Sequence, residues 1–242
     1  MAEFKFPTEE VDLPSKGLFY PKESPLSSGK IEIKYMTAKE EDILSNQSYI
    51  QKGIVLDKLL DSVIINKDIN HRDLIIGDKN AVLIATRILG YGKEYKFTVD
   101  GVERQIDLTT LENKPFEKAE MIGGENKFNY TLPHSGNEIT FKILNGHDEK
   151  KIEREIQGLR KIDKNLSPDL STRLKFIITS VEGEDDPKQI RQFVDNALLA
   201  RDSRALRTRI RDVQPDVELG VTLDDGKEVV VPIGLNFFWP DI

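Results

Sequence analysis

Two helix starts in this chain nearly repeat each other. Gly77 to Val82 reads Gly-Asp-Lys-Asn-Ala-Val and Arg201 to Leu206 reads Arg-Asp-Ser-Arg-Ala-Leu, so Asp78 and Asp202 each read as an N-cap with alanine three residues on. A repeated start constrains the architecture more than any single motif, because repeated supersecondary units imply repeated structure. The surroundings recur in the same order. Gly29 to Tyr35 alternates with the period of a strand and runs into Thr37, with Glu40 three residues on, the capping-box start of a helix. Gly136 to Leu144 alternates likewise and runs into Asn145 or His147, then the acidic first turn Asp148 and Glu149 and a helix from about Lys150 to Lys161. An apolar helical segment ends in Ser-Val in both halves, Leu56 to Leu60 before Ser62 and Val63, Leu174 to Ile178 before Ser180 and Val181. Each half closes on two alternating runs about a glycine turn: Tyr95 to Val99 with Val102 to Leu108, and Val217 to Leu223 with Glu228 to Ile233.

This order predicts an α+β chain of two similar lobes from an internal duplication, each built as strand, helices and β-hairpin, without the strict alternation of a doubly wound sheet. Residues 29–112 form the first lobe and 127–235 the second. Residues 113–126, where Pro115 and the pair Gly123 and Gly124 interrupt any period, form the linker. Residues 1–28 and 236–242 are extended end segments. Gly29 reads as a turn residue and Gly90 as a helix C-cap.

Composition narrows the partners. The formal charge of −7 repels a phosphate backbone, so nucleic acid is not an expected partner. Zero cysteines exclude disulfides, thiolate nucleophiles and cysteine metal sites. The longest apolar stretches, Ala81 to Ala85 and Phe176 to Ile178, fall far short of the roughly 18 residues of a membrane span, and the N-terminus carries no secretory pattern. A soluble chain without membrane contact is the expectation.

Motifs with chemical potential dissolve on inspection. His71-Arg72-Asp73-Leu74 copies the opening of the protein-kinase catalytic loop, but Asp78 stands where the magnesium asparagine belongs, and no glycine-rich loop or Asp-Phe-Gly accompanies it. It reads as a solvated loop before a helix cap. His71, His134 and His147 are far apart and lack helical metal-ligand spacing. The acidic clusters at Glu40 to Asp42, Glu184 to Asp186 and Asp224 to Asp225 read as a helix first turn, a helix approach and a hairpin turn. No catalytic residue, cofactor, metal ligand or small-molecule substrate is assigned.

Interaction features remain. Arg201, Arg204, Arg207, Arg209 and Arg211 crowd one helix, with 204, 207 and 211 on one face, fit either to hold an acidic partner or to form local pairs with Asp202 and Asp212. Leu13, Pro14, Phe19 and Tyr20 lie in a proline-bounded apolar segment, and Phe237, Phe238 and the lone Trp239 crowd the C-terminus. Each end packs on its own lobe or anchors a partner. The assigned candidate interface is Leu13, Pro14, Phe19, Tyr20, Arg201, Arg204, Arg207, Arg211, Phe237, Phe238 and Trp239.

The segments LPSKGLFYP at 13–21, MTAKEEDIL at 36–44, GDKNAVLIATRILGYG at 77–92, LLARDSRALR at 198–207 and NFFWPDI at 236–242 resemble, in this order, the baseplate hub subunit and hub-assembly proteins of T-even-like contractile-tailed bacteriophages. The resemblance spans almost the whole chain. It implies a non-enzymatic structural or assembly protein, in the virion baseplate or the host cytoplasm during tail assembly, contacting other phage tail and baseplate proteins. Many members of that family carry a cysteine pair at each hairpin turn, like half of a zinc ribbon. Here the turns read Asp100-Gly101 and Asp224-Asp225-Gly226, so zinc is not carried over. The alternatives are a hydrolase gathering Asp185, Asp186 or His71 in one cleft, and a host-directed binding protein of the phage.

Overall fold

The computed structural model describes residues 7–116, 121–165, 167–223 and 226–238. Helices and small antiparallel sheets share the chain, an α+β fold as the pattern implied. It begins with a strand that the pattern did not announce. Strand β1 (Thr8–Asp12) is largely exposed and polar, and it is a strand only because it pairs antiparallel with β2 (Lys30–Lys34), Glu10 opposite Glu32 and Val11 opposite Ile31. The two are joined through Leu13, whose N–H donates to the Gly29 carbonyl at 2.8 Å. Gly29 takes the left-handed conformation (φ 76°) expected of a turn glycine.

Helix α1 (Ala38–Ser45) starts as the capping box predicts, Glu40 accepting from the Thr37 backbone N–H at 2.9 Å and its hydroxyl at 2.7 Å. Helices α2 (Gln47–Gln51) and α3 (Val55–Val63) follow, then α4 (Ile76–Tyr91) and the hairpin β3 (Glu94–Val99) with β4 (Val102–Asp107). The second half runs β5 (Phe128–Thr131), β6 (Glu138–Phe141), α5 (Gly146–Ile162), α6 (Asp169–Ile177), β7 (Ile178–Val181), α7 (Pro187–Asn196), α8 (Ala200–Val213), β8 (Gly220–Thr222) and β9 (Glu228–Val230). Strands β5, β6 and β7 form one three-stranded sheet, and β8 pairs with β9. In the first half an antiparallel bridge from Ile33 to Ile64 sits where the second half pairs Phe141 with Ile178, each after a helix.

Several local expectations change. Asp78 and Asp202 are not N-caps: α4 starts at Ile76 and α8 at Ala200, with Ile75 and Leu199 in the cap positions, which places both carboxylates inside the first turn. Gly90 does not end α4, which continues to Tyr91 and is capped at Gly92; Gly90 lies inside the helix because the Met36 side chain packs where its Cβ would be. Helix α5 starts earlier than expected, at Gly146, because Asn145 caps it by accepting from the N–H groups of His147 and Asp148 at 3.1 Å each.

Burial divides between two cores, and both chain ends cross between them. The first core gathers β2, α3, α4 and β3 around Leu59, Leu60 and Val82, and takes in Val217, Val229, Val231, Phe237 and Phe238 from the far end. The second gathers β5, β6 and α5 to α8 around Phe128, Phe141 and Leu206, and takes in Phe19 from the N-terminal segment. Residues 112–114 join this crossover, with Asn113 bridged to Val217 and the Lys114 N–H donating to the Asp216 carbonyl at 2.8 Å. The crossing strand passes so close to α4 that a Cβ on Gly77 would overlap the Pro215 carbonyl and sit 2.7 Å from the Asp216 Cα.

Helix propensity alone would have Gly77→Ala gain about 1 kcal/mol. The Pro215 backbone reverses the sign, and a loss of about 3 kcal/mol, typical of overpacking against an element that cannot yield, is expected. Chemical denaturation of the variant tests this, and an unchanged or raised midpoint refutes the close packing.

Candidate functional site

Of the side chains proposed for partner contact, most are spent inside the chain. Leu13 is 1% exposed and Phe19 7%, and Phe237 and Phe238 are buried at 0% and 1%, so these residues build cores and are not presented at the surface. Pro14 is buried and Tyr20 half-buried. The Tyr20 hydroxyl donates to Asp78 and accepts from the Ile75 N–H at 3.3 Å. Trp239 lies outside the described residues, as do Asp224 and Asp225. Arg201, Arg204, Arg207 and Arg211 are exposed.

Helix α8 turns Leu206, Ile210 and Val213 toward the second core and leaves a neighbouring stripe outside. That stripe, Arg201, Arg204, Arg209 and Asp212, lines a groove of about 560 Å³ whose opposite wall is Tyr130 of β5 and His134 of the turn before β6. Ala205 and Thr208 line the groove between them. Arg207 and Arg211 do not line it; the Arg207 Nε donates to the Ser203 carbonyl at 3.3 Å. The groove therefore takes Arg204 from the expected face, exchanges two arginines for Arg201 and Arg209, and adds Tyr130 and His134. Sequence reading missed these two because they lie far from α8 in the chain.

A buried carboxylate fixes the two walls together. Asp202 is fully buried and accepts from the N–H groups of His134 at 2.8 Å and Ser135 at 3.0 Å, so the helix holds the turn that carries the histidine. Burial pushes its pKa up, but the His134 and Ser135 hydrogen bonds outweigh burial and hold it below the usual carboxylate range. The Tyr130 ring stands edge-on to Phe141 at 6.5 Å, which anchors it on the core. Arg201 and Arg204 make no ion pair with any described residue, whereas Arg72, Arg160, Arg173 and Arg191 each face a carboxylate.

Asp78 occupies the same place in α4. It accepts from the Ser15 N–H at 2.9 Å, the Ser15 hydroxyl at 2.6 Å and the Tyr20 hydroxyl, tying down the turn Leu13 to Gly17. Here burial wins over those bonds and its pKa is raised. That turn reads Leu-Pro-Ser-Lys-Gly, and the turn held by Asp202 reads Leu-Pro-His-Ser-Gly at Leu132 to Gly136, a match that was available in the sequence.

Asp185 and Asp186 do not meet His71, which instead lines a separate pocket with Asp57, Lys79 and Glu149. Asp185 and Asp186 are exposed at the start of α7, where Asp186 accepts from the Lys188 N–H at 3.2 Å as an N-cap. His71 is not in a solvated loop. It is 3% exposed, its Nδ1 2.6 Å from Asp61 and its Nε2 3.5 Å from Asp57, the first a hydrogen bond and the second an ion-pair distance. His71 and Lys79 beside Asp57 hold that carboxyl well below the usual range. His147 reaches Asp73 at 2.9 Å. Among the described residues no group of three or more His, Asp or Glu is placed to hold a metal ion, and no helix is long and apolar enough to cross a membrane. Comparison with known proteins finds no matching family profile, no similar curated protein and no similar solved structure.

Replacing Asp202 by alanine removes its hydrogen bonds to the His134 and Ser135 N–H groups, an expected loss of about 1–2 kcal/mol by denaturant titration. The two aspartates also predict opposite pH slopes. Asp202, with its folded pKa depressed, stabilises above its unfolded value and loses that contribution as pH falls through the folded pKa. Asp78, with its folded pKa raised, favours folding more as pH falls. Relative to wild type, Asp202→Asn is expected to flatten the acid loss of stability below about pH 4 and Asp78→Asn to steepen it, read as melting temperature against pH. Equal slopes for both variants refute the assignment.

Proposed function

We propose that this chain is a non-enzymatic structural or assembly protein of a phage tail baseplate hub, acting through contacts with other tail and baseplate proteins in the virion or in the host cytoplasm during tail assembly. The order of the five family-like segments carries the reading. Their described residues occupy joints of one fold: residues 13–21 form the turn held by Asp78, 36–44 include the Glu40 capping box, 77–92 make up most of α4, 198–207 open α8, and Phe237 and Phe238 close the first core. A resemblance scattered over unrelated surface positions would carry less. Glu40 closes the α1 capping box and pairs with Lys34, and Asp186 caps α7.

Quantitative mass spectrometry of purified virions and of tail intermediates from infected cells tests the proposal. A fixed copy number matching the symmetry of the tail identifies a permanent subunit, and presence only in intermediates identifies an assembly factor. Either supports the reading, and absence from both overturns it.

A further inference from the structure

We infer that the groove between α8 and the turn at His134 is a docking site for a short acidic segment of a partner protein, its carboxylates held by Arg201 and Arg204. The inference takes only the class of partner, a protein, from the function proposed above.

The charge arrangement is the first support. The chain holds 42 acidic residues against 35 lysines and arginines, so intramolecular partners are plentiful, and some other guanidinium groups use them. Arg160 faces Asp169 at 2.9 Å and Arg191 faces Glu155 at 2.6 Å. Arg201 and Arg204, one turn apart on α8, are left without a carboxylate among the described residues, side by side despite their mutual repulsion. Guanidinium groups take carboxylates in a two-pronged geometry, stronger and more specific than a point charge.

The second support is preorganisation. Asp202 bonds the backbone of the facing turn to the helix that carries both arginines, so the walls are set before a ligand arrives. A preset groove spares part of the ordering cost of binding. Tyr130 on the far wall and Ala205 between the arginines offer apolar contact to a side chain beside the carboxylates.

The third support sets the length of the ligand and excludes a nucleic acid. Asp212 lines the groove further along α8. Beyond the His134 turn, Glu182 accepts from the Asn137 amide at 3.0 Å and the Glu138 N–H at 2.9 Å, and Glu184, Asp185 and Asp186 are exposed beside it. A phosphate chain following the groove meets carboxylates along its path, whereas a segment with a few acidic side chains fits between them.

The test is fluorescence anisotropy of the full chain with a labelled probe peptide, Gly-Asp-Glu-Phe-Glu-Asp-Gly, at low salt. Saturable binding is expected, weakened at least about ten-fold by the double substitution R201E/R204E and by less than about two-fold by R211E, an arginine of the same helix outside the groove. R201Q/R204Q, which removes charge without reversing it, is expected to fall between, and circular dichroism melts confirm that each variant is folded. The inference is overturned if the peptide does not bind, if R211E weakens binding as much as the pair, or if oligo-dT binds more tightly than the peptide. It is also overturned if sedimentation shows that the chain self-associates and R201E/R204E abolishes this, since the occupant is then a second copy. None of these results alters the virion measurement, so the groove and the assembly role fail separately.

Discussion

The guanidinium of Arg87 is the constraint on which the rest of the arrangement depends. It is 1% exposed, in the middle of α4, and a buried charge of this kind persists only where its donors are satisfied. Its Nε donates to the Phe237 carbonyl at 2.9 Å, its Nη1 to the Gly92 carbonyl at 3.1 Å and its Nη2 to the Glu94 carbonyl at 3.4 Å, while the rings of Tyr91 and Tyr95 lie 5.2 and 5.9 Å from its centre. One side chain thereby joins the end of α4, the start of β3 and the C-terminal segment. Phe237 in turn packs edge-on against Tyr95 at 4.8 Å. Removing the C-terminal segment would strip the Phe237 carbonyl from the cation and the Phe237 ring from Tyr95 together, which explains why this segment belongs to the first core.

Helix α4 repeats this role along its length. At its start Asp78 holds the N-terminal turn, Gly77 admits the Pro215 backbone, and Asn80 donates to Asp216 at 3.0 Å. The turn at Ser15 and the segments at Pro215 and Phe237 are thus fastened to one helix of the first half. Helix α8 uses the same carboxylate position for a more local purpose, fastening only the turn between β5 and β6. The two carboxylates shift in opposite directions because burial and hydrogen bonding balance differently at each. At Asp78 burial, helped by the nearby Asp216, outweighs the Ser15 and Tyr20 hydrogen bonds, whereas at Asp202 the His134 and Ser135 hydrogen bonds outweigh burial.

Local devices were legible in the sequence, because they depend on residues a few positions apart. The Thr37 and Glu40 capping box, the glycine turn at Gly29, the hairpin β3–β4 and the apolar period of α3 all follow from spacing. What was not legible depends on partners distant in the chain. The polar run Thr8 to Asp12 becomes a strand only beside β2, and His71, a solvated loop residue by pattern, is buried because α3 supplies Asp57 and Asp61 around it. The aspartates at 78 and 202 were correctly singled out but given the wrong job. A carboxylate near a helix start is ordinarily a cap, and only the three-dimensional approach of the turns at Ser15 and His134 reveals the other acceptors' use. The groove suffers the same limit. Its arginines announce themselves on α8, but its second wall comes from β5 and the turn before β6.

A protein with an excess of carboxylates has little difficulty pairing its cations, so cations left unpaired carry more information here than they would in a basic chain. Elsewhere on this surface acids and bases meet: Lys142 with Asp148 at 2.8 Å, Lys175 with Asp195 at 2.7 Å, Lys79 with Asp57 at 3.1 Å. Exposed pairs of this kind add little stability, and their effect is to cancel the surface field locally. In the groove, Arg201 and Arg204 make no such pair with any described residue. Asp202, buried behind the groove, is turned toward two backbone N–H groups, and those bonds tie the His134 turn to α8. Stability and exposed charge therefore have one origin at this site. The residue that fastens the turn to α8 is also the acid that α8 does not spend on its arginines.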